Sequence, residues 1–78
     1  MNSILRIRQV GEATGLARST IYALVSDGRF TPPVKLSQRA VGWPLAEVSA
    51  INGARIAGKS DGEIREIVAR LEAARRAA

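Results

Sequence analysis

Apolar residues along the first third of the chain recur at helical spacing. The segment from residue 18 to residue 26 carries three of them at the i, i+3, i+4 positions of one helix face: Ile21, Leu24 and Val25. A shorter helix is predicted over residues 9–14 and ends at Gly15, because glycine readily takes the left-handed conformation that follows a helix. The pattern therefore predicts two helices joined by a glycine turn, which is helix-turn-helix spacing.

Apolar and polar residues alternate in the middle of the chain, which is typical of paired β-strands. Pro32 and Pro33 cannot continue a helix, since proline lacks the N–H donor and restricts φ. Residues 34–36 and 41–43 then place apolar side chains at every second position, on either side of a polar turn. We therefore predict a β-hairpin, preceded near the start of the chain by an apolar segment that forms a short strand or a lead-in to the first helix.

Helical spacing returns after the hairpin. Pro44 suits the first position of a third helix. The apolar residues expected to point inward from this helix are Leu45, Val48, Ile51 and Ile56. Ser60 and Glu63 have the spacing of a capping box, so a fourth helix should begin there and fray over residues 75–78.

The fold class that follows is mainly α with a small β-hairpin. We predict that residues 1–58 form a winged helix-turn-helix domain and that residues 59–78 form a C-terminal amphipathic helix. The last helix either packs on the same domain or is a self-association element, and the pattern leaves both alternatives open. The residues concerned are Ile64, Ile67, Val68 and Leu71.

Composition excludes several classes of function. The 78 residues suffice for one domain and contain no Cys and no His, so disulfides, Cys/His zinc sites and histidine-based catalysis are excluded. The two Asp and five Glu form no evident catalytic or metal-binding cluster, and we expect neither an enzyme nor a cofactor. No apolar run has the length of a membrane span, and the first residues are too charged for a signal peptide, so we expect a cytoplasmic protein.

The charge is strongly basic. The net charge is +5 and the pI about 11.1, and ten of the 12 basic residues are Arg. The forked guanidinium suits phosphate groups and guanine edges better than the lysine ammonium does. A polyanionic partner is therefore expected, although a solvated basic surface would have the same composition.

The second helix carries the first set of candidate contacts with double-stranded DNA. With its apolar face turned inward, a helical wheel points Ser19 and Tyr22 outward, and Arg18 is long enough to reach the same side. The first N–H groups of a helix lack intrahelical acceptors, and the helix dipole favours a phosphate there. The hydroxyls of Ser19, Thr20 and Tyr22 would add hydrogen bonds to phosphates or base edges. Local capping is an alternative role for Ser19 and Thr20, and half-buried packing is an alternative for Tyr22.

The hairpin carries the second set. Lys35 points away from its apolar neighbours, and Gln38 and Arg39 lie at the turn, where they would reach the DNA backbone or minor groove as a wing. The alternative is a solvated polar turn. Arg29 is either a phosphate clamp or a charge that complements the end of the second helix. Trp43 is expected in the core.

Four segments in this order resemble the AlpA family of phage and integrative-element regulators, which is related to excisionases and to the MerR-like winged helix. They are LRIRQV, TGLARSTIYALVSDGRF, PPVKL and RAVGWPLAEV. The resemblance implies a sequence-specific DNA-binding protein of a mobile element, with its recognition helix at residues 18–26 and its wing at residues 35–41. Two features depart from the family: Ala17 replaces the usual serine cap, and the turn at Ser37 is not glycine-rich.

The resemblance implies two functions within one class. The first is a recombination directionality factor, or excisionase, that binds and bends attachment-site DNA through several self-associating copies. The second is a transcriptional activator of an integrase or another gene of the element. A different class is a protein-interaction module, in which the apolar stripe of residues 64–71 binds an integrase or a polymerase subunit. No membrane partner is expected.

Overall fold

The computed structural model describes residues 3–77, which form four helices and a three-stranded antiparallel sheet. The helices are α1 (Ile7–Thr14), α2 (Arg18–Ser26), α3 (Leu45–Ile56) and α4 (Asp61–Ala77). The strands are β1 (Ile4–Leu5), β2 (Val34–Lys35) and β3 (Val41–Pro44). The mainly helical class and the hairpin are confirmed, and the apolar segment near the start of the chain is a strand that extends the hairpin.

The sheet has β3 at its centre, in the order β1-β3-β2. Ile4 lies opposite Pro44 across one edge of β3, and Val34 lies opposite Gly42 across the other. Gly42 sits where neighbouring groups approach most closely. A Cβ atom there would lie 2.5 Å from Cγ2 of Ile4 and 2.8 Å from the carbonyl oxygen of Leu5. Glycine is therefore required by the close approach of β1.

The α1–α2 pair has the predicted glycine turn. α1 begins at Ile7, two residues before the predicted start, and the Arg6 N–H donates to Oε1 of Gln9 at 2.9 Å. Gly15 ends the helix with a φ of 73°, and its N–H donates to the carbonyl of Gly11 at 2.8 Å. This left-handed conformation is costly for any residue with a Cβ atom, which is why glycine occupies the turn.

Trp43 is the centre of the core and is fully buried, as predicted. Its indole N–H donates to the carbonyl oxygen of Thr31 at 2.7 Å. The ring makes edge contacts with Phe30 and Tyr22, with centroid distances of 6.2 and 5.9 Å. The aliphatic part of the core is contributed by all four helices: Val10, Ile21, Leu24, Val48, Ile51, Ala54, Ile64 and Val68.

The inward face of α3 differs from the prediction. Val48 and Ile51 are buried, but Leu45 is 42% exposed and Ile56 is 87% exposed. At about 100° per residue, Leu45 and Ile56 lie about 120° and 140° from Ile51 around the helix. The buried face of α3 includes Glu47 and Ala54 instead, beside Val48 and Ile51.

α4 begins with the predicted capping box. The Glu63 N–H donates to Oγ of Ser60 at 3.2 Å, and the Ser60 N–H donates to Oε1 of Glu63 at 3.0 Å. The Ser60 N–H, with a smaller contribution from the Ser60 side chain, holds the pKa of the Glu63 carboxyl below its usual value. The helix continues to Ala77, and Arg75 is bonded to the domain. The fraying predicted for residues 75–78 stays a prediction, and residue 78 lies outside the described residues.

The apolar face of α4 packs on the rest of the domain. Ile64 and Val68 are buried in the common core, and Ile67 and Leu71 are half-buried against it. The stripe was predicted either to pack on its own domain or to self-associate, and Ile64 and Val68 pack on their own domain. Self-association through the half-buried residues stays a prediction. No helix among residues 3–77 combines the length and apolarity that crossing a bilayer requires.

Candidate nucleic-acid interface

The first turn of α2 is an exposed surface with hydrogen-bond donors. Arg18, Ser19 and Thr20 are all exposed, and the capping position is held by Ala17, whose side chain has no acceptor. The N–H of Ile21 is the first to bond within the helix, to the carbonyl of Ala17 at 3.0 Å. The N–H groups of the preceding turn therefore face outward at the positive end of the helix dipole, where an anion is stabilised.

Tyr22 connects this turn to the sheet. Its ring is half-buried and meets the ring of Trp43 edge-on, at an interplanar angle of 65°. The guanidinium of Arg18 lies 6.0 Å from the centroid of the Tyr22 ring. The Tyr22 ring is thus half-buried and packed, as in the second of the two roles predicted for this residue. The contacts of Tyr22 place the start of α2 beside β3.

The turn of the β2–β3 hairpin is open to solvent. Lys35, Gln38 and Arg39 are exposed, as predicted. The carbonyl oxygen of Ala40 closes the turn by accepting hydrogen bonds from the N–H groups of Leu36 and Ser37, at 2.8 and 3.2 Å. The hairpin therefore presents two cations and an amide from a hydrogen-bonded turn that contains no glycine.

Arg29 has a different environment from the other candidates. Its Nε donates to Asp27, and its Nη1 lies 3.2 Å from Asp61 at the start of α4. Arg65 also bonds to Asp27 at 2.8 Å, and these two guanidinium groups, Arg65 foremost, hold the pKa of the Asp27 carboxyl below its usual value. Arg29 thus belongs to an ion-pair network between α2 and α4. A phosphate at Arg29 would therefore compete with two carboxylates.

Charge is divided unequally along the chain. Residues 3–46 carry six basic and two acidic side chains, whereas residues 47–77 carry six and five. Within residues 3–77, the ion pairs involve Arg29, Lys59, Arg65 and Arg75, and they include none of Arg6, Arg8, Arg18, Lys35 and Arg39. These five unpaired cations are all exposed. Much of the positive charge in the later part is matched by carboxylates, and the excess lies on α1, α2 and the hairpin.

Two of the five cations were not among the predicted site residues. Arg6 lies at the start of α1, and Arg8 lies on its first turn, and both are exposed. The sequence signal was the run RIR, in which a half-buried Ile7 separates two polar positions. From the sequence, residues 4–7 are predicted as a strand or lead-in, and the charges of the first residues count only against a signal peptide, so neither arginine is assigned to the DNA contacts.

Comparison with known proteins identifies the family. The family model described as "Prophage CP4-57 regulatory protein (AlpA)" matches residues 3–50, which is more than half of the chain. The chain belongs to the AlpA family. It is also similar to the "Uncharacterized protein ORF88" of Enterobacteria phage P4, with 45% identity over 58 residues. That alignment covers 74% of this chain and 66% of the phage protein, slightly under two thirds of its length. No solved structure matches the chain.

The AlpA match spans most of the candidate interface. Residues 3–50 include α1, α2, the sheet and the first half of α3. Arg18, Lys35 and Arg39 therefore lie in the part shared with the family, whereas the whole of α4 lies outside it. The resemblance to the AlpA family noted in the sequence is thus confirmed by the family model and by the phage relative.

Proposed function

We propose that this AlpA-family protein binds double-stranded DNA as a winged helix-turn-helix of the MerR-like type. In this arrangement α2 enters the major groove, and the β2–β3 hairpin lies on the neighbouring backbone or minor groove. The observation that carries the proposal is the set of exposed, unpaired cations on α2 and the hairpin. Trp43 and Tyr22 support it, because their edge contact holds the two elements side by side.

The roles of the residues follow from their chemistry. Arg18 and Ser19, at the exposed start of α2, would read base edges or hold a phosphate with the free N–H groups of that turn. Thr20 would assist through its hydroxyl. Lys35 and Arg39 would bind phosphates from the hairpin, with Gln38 as a polar contact beside them.

A salt titration of DNA binding tests the proposal. Four to six phosphate contacts per protomer would give a log–log slope of about −3 to −6 in fluorescence anisotropy with a labelled duplex. Arg39→Ala should weaken binding about fivefold at 0.15 M salt and make the slope shallower by about 1, whichever sequence is used. Ser19→Ala should alter the preference between sequences instead.

The matched control is Arg70→Ala. Arg70 is an exposed arginine on α4 that takes part in none of the ion pairs found within residues 3–77. This substitution removes the same charge from a helix outside the proposed interface, so its effect should be smaller than that of Arg39→Ala. Equal losses for the two variants, or a slope near zero for the unaltered protein, would contradict the proposed interface.

At the level of biology we propose a recombination directionality factor that binds and bends attachment-site DNA through several adjacent copies. The alternative is transcriptional regulation of an integrase or other element gene, which is supported by the description of the family as regulatory proteins. A protein-interaction module that uses the α4 stripe has less support, because Ile64 and Val68 are buried within the domain. We propose no enzymatic activity.

Selection of sheared genomic DNA by the purified protein, followed by sequencing, separates these functions. Enrichment of repeated sites beside an integrase attachment site would support the directionality factor. Enrichment upstream of a coding region would support transcriptional regulation. Retention of DNA without sequence preference would contradict both.

A further inference from the structure

Arg75, near the end of α4, bonds to two other parts of the domain. Its Nε and Nη2 donate to the two carboxylate oxygens of Glu47, at 2.8 and 2.6 Å. Its Nη2 also donates to the carbonyl oxygen of Pro32 at 2.8 Å. One guanidinium therefore joins α4 to the first turn of α3 and to the segment that leads into the hairpin.

Glu47 is the acceptor that makes this junction specific. It is 6% exposed, so its carboxylate has little access to water. A buried carboxylate needs a partner with matched geometry, and the fork of an arginine supplies two parallel donors. The bonds to Glu47 also raise the pKa of the Arg75 guanidinium.

The segment reached by Arg75 holds the root of the hairpin. Phe30 and Thr31 are buried, and the carbonyl of Thr31 accepts from the indole of Trp43. Pro32 follows, bonded to Arg75, and β2 begins at Val34. Consecutive prolines have restricted φ angles, so a displacement at Pro32 is transmitted to β2 with little local relaxation.

We propose that Arg75 and Glu47 are positioning residues for the β2–β3 hairpin, through which α4 sets DNA affinity without contacting DNA. The inference rests on the proposed DNA-binding function. When the junction is intact, the hairpin root is held at Pro32 from one side and at Thr31 from the other. When Arg75 is replaced, the contact at Pro32 is lost while the Trp43 bond and the β2–β3 pairing remain, and Arg39 at the hairpin turn is held less firmly in its DNA-binding position.

The test is a double-mutant cycle in the full chain, using Arg75→Lys. Lysine keeps the charge, so general attraction to DNA is unchanged, but it lacks the fork that reaches both Glu47 oxygens and Pro32. We expect Arg75→Lys to weaken DNA binding severalfold. We also expect Arg39→Ala to reduce DNA affinity by a much smaller factor in the Arg75→Lys protein than in the unaltered protein. The factor by which Arg18→Ala reduces affinity should be the same in both proteins to within about twofold.

Two further measurements keep the test decisive. Arg76→Lys is the matched control, because Arg76 is an exposed neighbour of Arg75 on α4. This substitution should leave unchanged the factors by which Arg39→Ala and Arg18→Ala reduce DNA affinity. Hydrogen exchange without DNA is the second readout. Arg75→Lys or Glu47→Gln should speed exchange of the Leu36 amide, which is bonded within the hairpin turn, more than that of the Gly15 amide.

The outcomes separate the inference from the proposed function. The positioning role would be overturned if Arg39→Ala reduced DNA affinity equally with and without Arg75→Lys, or if the exchange rate of the Leu36 amide did not change. Either result would leave the proposed DNA binding intact. Absence of DNA binding by the unaltered protein would refute the proposed function. In that case a selective increase of exchange at Leu36 would still support the tie between Arg75 and the hairpin, but not its effect on DNA affinity.

Discussion

Replacement of Gly42 by alanine tests the packing of the sheet on which the hairpin depends. The added methyl would lie 2.5 Å from Cγ2 of Ile4, 2.8 Å from the carbonyl oxygen of Leu5 and 3.2 Å from Cδ1 of Leu36. The two side-chain atoms can move by rotation. The Leu5 carbonyl cannot, because Leu5 is paired with Trp43 across the β1–β3 ladder. β1 must therefore shift away from β3.

The magnitude follows from two opposing terms. Overpacking of this kind costs about 1–3 kcal/mol. The lower conformational entropy of unfolded alanine, compared with glycine, returns about 0.4–1 kcal/mol. We expect Gly42→Ala to lower the free energy of unfolding by about 1–2 kcal/mol, which in a domain of this size lowers the Tm by about 4–15 °C.

The assay is thermal and urea unfolding followed by circular dichroism, with Gly53→Ala as the control. Gly53 lies within α3, and a Cβ atom there would have no neighbour within 4 Å. Alanine should stabilise an open helical position by about 1 kcal/mol. Replacement of glycine by alanine is therefore expected to lower the free energy of unfolding at position 42 and to raise it at position 53.

A Gly42→Ala protein that melts at or above the temperature of the unaltered chain would refute the reasoning, provided that Gly53→Ala raises the Tm. The double variant Ile4→Ala/Gly42→Ala tests which contact limits the packing. It should not recover the loss assigned to Gly42→Ala, because the Leu5 carbonyl remains in place. Full recovery would show that only the Ile4 side chain was in the way.

Three other predictions concern stability. Thr31→Val should be neutral or should stabilise by up to about 1 kcal/mol in urea unfolding, because the buried Thr31 hydroxyl has no hydrogen-bond partner among residues 3–77; a loss above about 1 kcal/mol would contradict this. Trp43→Phe should cost about 2 kcal/mol through the lost bond to Thr31 and the smaller ring, and no change in Tm would contradict it. Because folding lowers the pKa values of Asp27 and Glu63, stability present at neutral pH should fall as pH drops below about 4.5, and Glu63→Gln should flatten that decline in acid urea titrations.

Local signals in the sequence determined most of the helical framework. The left-handed Gly15, the apolar triplet of α2 and the capping box at Ser60 each depend on residues within four positions of one another. Helical hydrogen bonds and caps span that same distance, so such signals can be detected without a structure. The exposure of Arg18 and Arg39 followed from the same local reasoning.

The sequence did not predict which charged side chains are paired with each other. Arg29 was predicted as a phosphate clamp or as a charge that complements the end of α2, but it pairs with Asp61 at the start of another helix. Glu47 was expected on no inward face, and it is buried because Arg75 reaches it from α4. These partners are distant in the chain, and no periodic pattern relates them.

For this protein, therefore, the sequence alone determined where helices and the hairpin form and that the chain is basic. Only the tertiary structure decided which cations remain free for an anionic partner and that α4 is bonded to the hairpin root. The physical reason is the range of the interactions. Helix periodicity and capping act along a few residues of backbone, whereas ion pairs form between surfaces that meet only after the helices have packed.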